Sequence, residues 1–233
     1  MDAARWTVAI DGVDVSVALD TAQDPGATTV FVMAHGAGGN LADRGVLALS
    51  TLYRARGVHV VRFNFPYRQR ESRRPDPMPV LQRCIADVVA SARLRVEAAQ
   101  WLIGGRSMGG RAASMLAADG HACDGLLLLA YPWHPAGQPA RLRDAHLSSI
   151  TVPVLCVNGT RDALCRRDLM DAVVRRLCND WTMHWLDGAD HAFHVLRNSG
   201  RTDAEVLNET GDATQAWLKR ITRPQAAHHR SLR

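Results

Sequence analysis

Residues 102–116, LIGGRSMGGRAASML, set a lone hydroxyl, Ser107, among glycines, with apolar residues before it and an alanine-rich run after it. QWLIGG has the length of a strand, and the stretch from Ser107 to about Ala118, stopped by Gly120, has the length of a helix. Gly105-Arg106-Ser107-Met108-Gly109 therefore fits G-x-S-x-G between a strand and a helix, the context that motif requires. The reason is steric. A very sharp strand-to-helix turn brings two backbones together, so Gly105 and Gly109 avoid side-chain clashes while the residue between them is strained and its hydroxyl presented. Gly110, Ala112 and Ala113 let the helix lie close to the sheet. A small residue tolerated in a tight turn is the competing reading; the strand before and the helix after favour a nucleophile.

Outward from the serine, strand-length apolar runs alternate with helix-length segments. WTVAI and VDVSVAL flank Asp11-Gly12, a hairpin signal. TTVFVMAH is continuous and β-branched, as a strand buried on both faces would be. A helix is expected near 42–56, then the strand VHVVRFNF, then a long helix over 77–98 with Leu81, Ile85, Val88 and Val89 on one face. DGLLLLAY and ITVPVLCVNG follow as buried strands, WTMHWLDG as a short last strand, and 203–221 as a closing amphipathic helix. This order predicts an α/β fold: a mostly parallel central sheet with helices on both faces and an antiparallel hairpin at its edge. Residues 1–222 are expected to form one domain, and 223–233, RPQAAHHRSLR, a frayed tail without apolar periodicity. Sites in such folds gather beyond the carboxyl ends of the strands.

A nucleophilic serine needs a base, and the base an orienting acid. His191, in LDGADHAFH, follows the last strand; Asp162, in VNGTRDALC, lies in the turn after the strand ending near Asn158. Ser107, Asp162, His191 is the chain order this strand arrangement uses. Asp162 could instead cap the helix of ALCRRDLM, and Asp187 and Asp190 compete as the acid, although adjacency makes the side chain of Asp190 diverge from His191. AHGAGGN, residues 34–40, follows a buried strand, and its glycines free backbone N–H groups to point inward; Ala37 and Met108 are the expected oxyanion donors. A dinucleotide loop fails, because G-x-G-x-x-G from Gly36 would need its last glycine at Leu41. His191 and His194 are three apart, but no H-E-x-x-H or carboxylate cluster accompanies them, so neither metal nor cofactor is expected.

The net charge of +5 invites a nucleic-acid reading, yet Lys219 is the single lysine and the arginines are interleaved with acids. The densest group, RQRESRR at 68–74, is either a solvated loop or a rim that attracts anionic substrates. Five cysteines without a Cys-x-x-Cys pair fit reduced thiols rather than a disulfide framework. With no apolar run of membrane-spanning length and no secretory signal at the start, the expectation is a cytoplasmic protein that binds neither nucleic acid nor membrane.

The chain resembles an α/β-hydrolase over nearly its whole length, and within that superfamily it is similar to small, lidless dienelactone-hydrolase-like proteins. AHGAGG, FNFPYR, GGRSMGGRAAS, YPWHPAGQP, NGTRD and HWLDGADHAF carry a narrower likeness, to the branch with testis-expressed protein 30 and the hydrolase-like subunit of the NSL histone-acetyltransferase complex. The resemblance implies an eight-stranded sheet and a Ser107–His191–Asp162 triad. Dienelactone hydrolases proper use a cysteine where this chain has Ser107, so their lactone substrate is not carried over. It also implies which loops frame the site: Tyr67 and Arg68 of FNFPYRQR, and Trp133 and His134 of YPWHPAGQP, are candidate substrate-binding residues, each set against a purely structural role. Arg106 is a further candidate, for a substrate anion or a structural carboxylate. The expected activity is hydrolysis of a small, accessible acyl ester by a monomer or weak dimer. A non-catalytic interaction protein on the same scaffold, or a thioesterase, peptidase or acyltransferase with the same triad, are the alternatives.

Overall fold

The structure is a computed structural model, and it describes residues 3–177 and 179–222; Cys178 and the expected tail at 223–233 lie outside the described residues. Its centre is an eight-stranded sheet in the order β1-β2-β4-β3-β5-β6-β7-β8. β1 (Ala4–Ile10) and β2 (Val13–Asp20) form the predicted hairpin, and positive φ at both Asp11 (49°) and Gly12 (78°) gives the turn the twist that paired strands need. β2 joins β4 (Val58–Phe63) antiparallel, and every later pairing is parallel, through β3 (Thr29–Ala34), β5 (Gln100–Arg106), β6 (Gly125–Leu129), β7 (Val154–Gly159) and β8 (Trp181–Leu186).

Because strand side chains alternate between faces, each central strand feeds two cores. On one face, Val30, Val32, Ile103, Leu126 and Leu128 pack with Leu81, Ile85 and Val88 of α3 (Met78–Arg93) and Ala112 and Ala113 of α4 (Met108–Ala118). On the other, Phe31, Met33, Leu102 and Leu127 meet Leu49 and Tyr53 of α1 (Arg44–Arg54) and Val206 and Trp217 of α6 (Asp203–Ile221). A capping box starts α6: Glu205 N–H donates to Thr202 Oγ1 at 3.2 Å, and Thr202 N–H donates to the Glu205 carboxylate at 2.7 Å. None of the described helices is long and apolar enough to cross a membrane.

The structure departs from the expected boundaries in a few places. α3 ends at Arg93 rather than near 98, where Leu94 is 84% exposed and has no core to face. Arg95 turns back there, donating to Ser91 O at 2.8 Å and lying over the Trp6 ring. Two short helices complete the chain, α2 (Pro66–Gln69), with proline in its first turn, and α5 (Arg167–Val174).

One buried ion pair ties the antiparallel edge to the loop carrying the glycines. Arg62 on β4 pairs with Asp20 on β2 and also donates to Leu41 O, and Ser50 adds a hydrogen bond to Asp20. Burial alone would raise the Asp20 carboxyl, but hydrogen bonds from Arg62 and Ser50 and the guanidinium charge hold it below the usual carboxylate range. Asp20→Ala strands the Arg62 charge in the interior and is expected to cost about 3–5 kcal/mol of unfolding free energy, read from the urea midpoint.

Candidate active site

Four loops beyond the carboxyl ends of β3, β5, β7 and β8 converge on Ser107. Ser107 sits between β5 and α4 at φ 50°, ψ −115°, a conformation L-residues avoid unless their surroundings hold it. A Cβ on Gly105 would come within 2.1 Å of Ala34 O, and one on Gly109 within 2.6 Å of His35 O. The two glycines of the motif are thus required by the close approach of β3, as the sequence argument expects.

Ser107 Oγ lies 3.0 Å from His191 Nε2, and His191 Nδ1 lies 2.8 Å from Asp162 Oδ2. Asp162 has no exposed side-chain surface. Its Oδ2 also accepts from Asn158 Nδ2 (3.2 Å), and its Oδ1 accepts from Leu164 N–H (2.8 Å). With α5 starting only at Arg167, Asp162 does not cap it. The rival acids have other work. Asp187 accepts from Thr160 Oγ1 at 3.3 Å, while Asp190 Oδ1 accepts from the N–H groups of Ala192 (2.7 Å) and His194 (3.0 Å) and so shapes the loop that presents His191. His194 points elsewhere, pairing with Asp203 at 2.8 Å.

The Gly36–Gly39 loop and Arg106 line one cavity of about 340 Å³ together with Asp43, Val46, Ser107 and His191. Ala37 is in that lining, and Met108, the first residue of α4, has an N–H with no partner inside its helix. A larger cavity, about 690 Å³ between Thr28, Gln100, Asp124 and Arg220, opens at the opposite end of the sheet, away from the serine.

His35 organises the glycine loop from beneath. Its Nδ1–H donates to Gly36 O (2.7 Å) and its Nε2 accepts from Phe65 N–H (3.1 Å), which fixes one neutral tautomer. Burial pushes its pKa down to about 4, against a weaker upward pull from the Gly36 carbonyl. Above pH 6.5 the ring is neutral in both native and unfolded chains. As pH falls towards 4, only the unfolded chain takes up the proton, so stability drops by about 3 kcal/mol across that window and then levels off. His35→Gln should flatten this part of the stability–pH curve, measured by urea unfolding at stepped pH.

Of the expected substrate contacts, four are corrected. Tyr67 is fully buried, and its hydroxyl donates to Ala37 O at 2.7 Å: it braces the glycine loop instead of lining the mouth. Arg68 donates to Ser72 O at 3.3 Å and is absent from the cavity lining. Trp133 is 1% exposed, packed against Tyr131 and Trp181 with ring centroids 5.0 and 5.6 Å away. His134 is 2% exposed; it donates to Pro135 O (3.0 Å) and accepts from Arg166 N–H (3.3 Å). The loop after β6 has room to fold its aromatic residues inward, and burying them is worth more than exposing them as a wall. The arginines at 70–74 form a solvated loop, with Arg70 paired to Asp76 at 2.6 Å.

Arg106 does line the cavity, and no carboxylate of the described residues lies within ion-pair distance of it. Its guanidinium donates to His191 O at 2.9 Å and lies over the Phe193 ring, tying the histidine loop to the elbow. Burial lowers its pKa, and the carboxylates of Asp43, Asp190 and Asp162 partly offset this. Sequence reasoning missed Asn158. Fully buried, it links Tyr131 (N–H to Oδ1, 3.1 Å; Nδ2 to carbonyl, 3.1 Å) to Asp162 and so orients the acid. The polar asparagine at the end of the apolar run VLCVNG was its signal.

A family profile described as "Alpha/beta hydrolase domain" matches residues 27–219. Among solved structures, a serine hydrolase described as without lid, XC6422 from Xanthomonas campestris, superposes with a TM-score of 0.73 at 20% identity, covering 93% of this chain and 95% of its own. Est1E from Butyrivibrio proteoclasticus gives 0.71 at 16%, covering 94% and 100%. A dienelactone hydrolase from Anabaena variabilis gives 0.69 at 15%, covering 94% and 99%. At such identities the superpositions speak for the fold, which is that of lidless, dienelactone-hydrolase-like proteins. The profile match spans most of the sequence, and the chain belongs to the α/β-hydrolase family.

Proposed function

We propose that the protein is a serine esterase that cleaves small, accessible acyl esters through an acyl-enzyme. The hydrogen-bonded line from Ser107 Oγ through His191 to Asp162 carries this reading. His191 Nε2 takes the serine proton as Oγ attacks the ester carbonyl, Asp162 holds the imidazole in the tautomer that can accept it, and the Ala37 and Met108 N–H groups receive the oxyanion. The same imidazolium protonates the departing alcohol, and water then repeats the sequence to release the acid.

Esters rather than thioesters or peptides are favoured by the small and open cavity, about 340 Å³ with no inserted lid over it. Such a pocket does not enclose a long acyl chain or a peptide. A series of 4-nitrophenyl esters tests this: kcat/KM is expected to be highest for acetate to butyrate and to fall by about tenfold or more by octanoate, since the cavity at Ser107 is small and lined mostly by glycines and polar side chains. Rising activity with chain length would contradict it, and turnover of thioesters alone would move the reading to a thioesterase.

A further inference from the structure

The segment between β6 and β7 sits where other hydrolases insert a lid, but here it lies against α4 and leaves a second cavity, about 510 Å³. Arg111 and Met115 of α4 line it from one side, and Arg141, Leu142, Arg143 and His146 of the loop from the other. Its charge is uncompensated. Among the described residues, none of the three arginines has a carboxylate within ion-pair distance, whereas twelve other side chains of Arg or His find one. The neighbouring acids are engaged elsewhere, Asp144 with Arg176 (3.3 Å) and Asp119 with Gln82 (2.7 Å).

Protein acceptors leave much of the donor capacity unused. Arg141 donates to Gln138 Oε1 (2.8 Å) and Arg143 to Pro132 O (3.3 Å), while Arg111 Nε is buried with no acceptor at all. Burial and the like charges of Arg111 and Arg141 both work against the charged form of Arg143. His146 adds no cation: burial and Arg111 lower its pKa, and its Nε2 meets Ser114 Oγ at 2.9 Å. A fold that holds three guanidiniums against one cavity without a counter-charge bears repulsion and desolvation that a bound anion would relieve.

We propose that this cavity binds a phosphate group of a small molecule through Arg111, Arg141 and Arg143. A carboxylate satisfies one guanidinium fork with its two oxygens, whereas the three terminal oxygens of a phosphate engage several forks at once. Met115 and Leu142 supply an apolar wall for an organic remainder. The site is distinct from the serine pocket, sharing none of its lining residues, but the two are one helical turn apart: Arg111 N–H donates to Ser107 O at 3.0 Å.

Isothermal titration calorimetry of the full chain, with inorganic phosphate and phenyl phosphate at ionic strength held constant by sodium chloride, tests the proposal. Saturable binding at one site per chain is expected, weakened about tenfold or more in Arg141→Ala and in Arg111→Gln. Arg141 is exposed, so its removal leaves the fold intact. Ser107→Ala should bind as the wild type does, which separates this site from the esterase reading. Tighter binding of phenyl phosphate than of inorganic phosphate would identify an organic ester as the ligand, and equal binding the free anion; both require the arginines. No heat beyond the chloride control, equal binding in both arginine variants, or loss of binding in Ser107→Ala would overturn it.

Discussion

Ser107→Ala is expected to lower kcat for 4-nitrophenyl acetate by about 10⁴- to 10⁶-fold while leaving thermal stability almost unchanged. The loss is large because in the proposed mechanism Oγ is the atom that bonds to the acyl carbon, and no other hydroxyl lines the cavity with His191. Stability should hold because the serine hydroxyl contributes one hydrogen bond at a partly open site, while the strain at φ 50° is borne equally by alanine. The residual rate above water would come from the Ala37 and Met108 amides. Initial rates with titrated enzyme, alongside a thermal melt, separate lost chemistry from lost fold. A variant that retains a tenth of the activity would mean that the hydrolysis occurs without this serine.

Asp162→Asn has the next largest expected effect, about 10⁴-fold in kcat. The carboxylate has no exposed side-chain surface, and its Oδ2 faces two donors, His191 Nδ1 (2.8 Å) and Asn158 Nδ2 (3.2 Å). An amide placed there must either turn its NH₂ towards both donors or give up the Leu164 N–H bond that Oδ1 now accepts at 2.8 Å. In the first arrangement the imidazole loses the acceptor that keeps its proton on Nδ1, so that Nε2 is no longer free to take a proton from Ser107; in the second it keeps an acceptor but loses the negative charge that would stabilise an imidazolium. Asp187→Asn provides the contrast. That carboxylate accepts from Thr160, the residue after β7, and not from His191, so kcat should fall by no more than about twofold. Comparable losses in the two variants would remove Asp162 from the role of orienting acid.

The parts of the fold that were legible in the sequence share one property: their physics is local. Uninterrupted apolar runs such as TTVFVMAH report a strand covered on both faces, Asp11-Gly12 reports a tight hairpin, and glycines around Ser107 report a backbone approach that side chains would block. Ser107, Asp162 and His191 were legible for the same reason, since each follows a recognisable strand in the right chain order. What was not legible depends on where a loop goes after it leaves its strand. Trp133 and Tyr67 carry large apolar rings that could equally line a mouth or fill a core, and only the loop path decides that they fill it. Arg106 contributes to the elbow through the His191 carbonyl, a partner 85 positions away with no charge to announce it. Asn158 orients Asp162 across two strand ends by hydrogen bonds that exist only once β6 and β7 are paired.

An activated serine is the core of this account, and labelling with a fluorophosphonate reads it without assuming any substrate. Wild-type protein, Ser107→Ala and His191→Ala would be incubated with the probe, digested, and the modified peptide identified by mass spectrometry. One adduct per chain, on Ser107, in the wild type alone is the predicted result. A folded wild type that remains unlabelled, or an adduct that survives in Ser107→Ala, would contradict it.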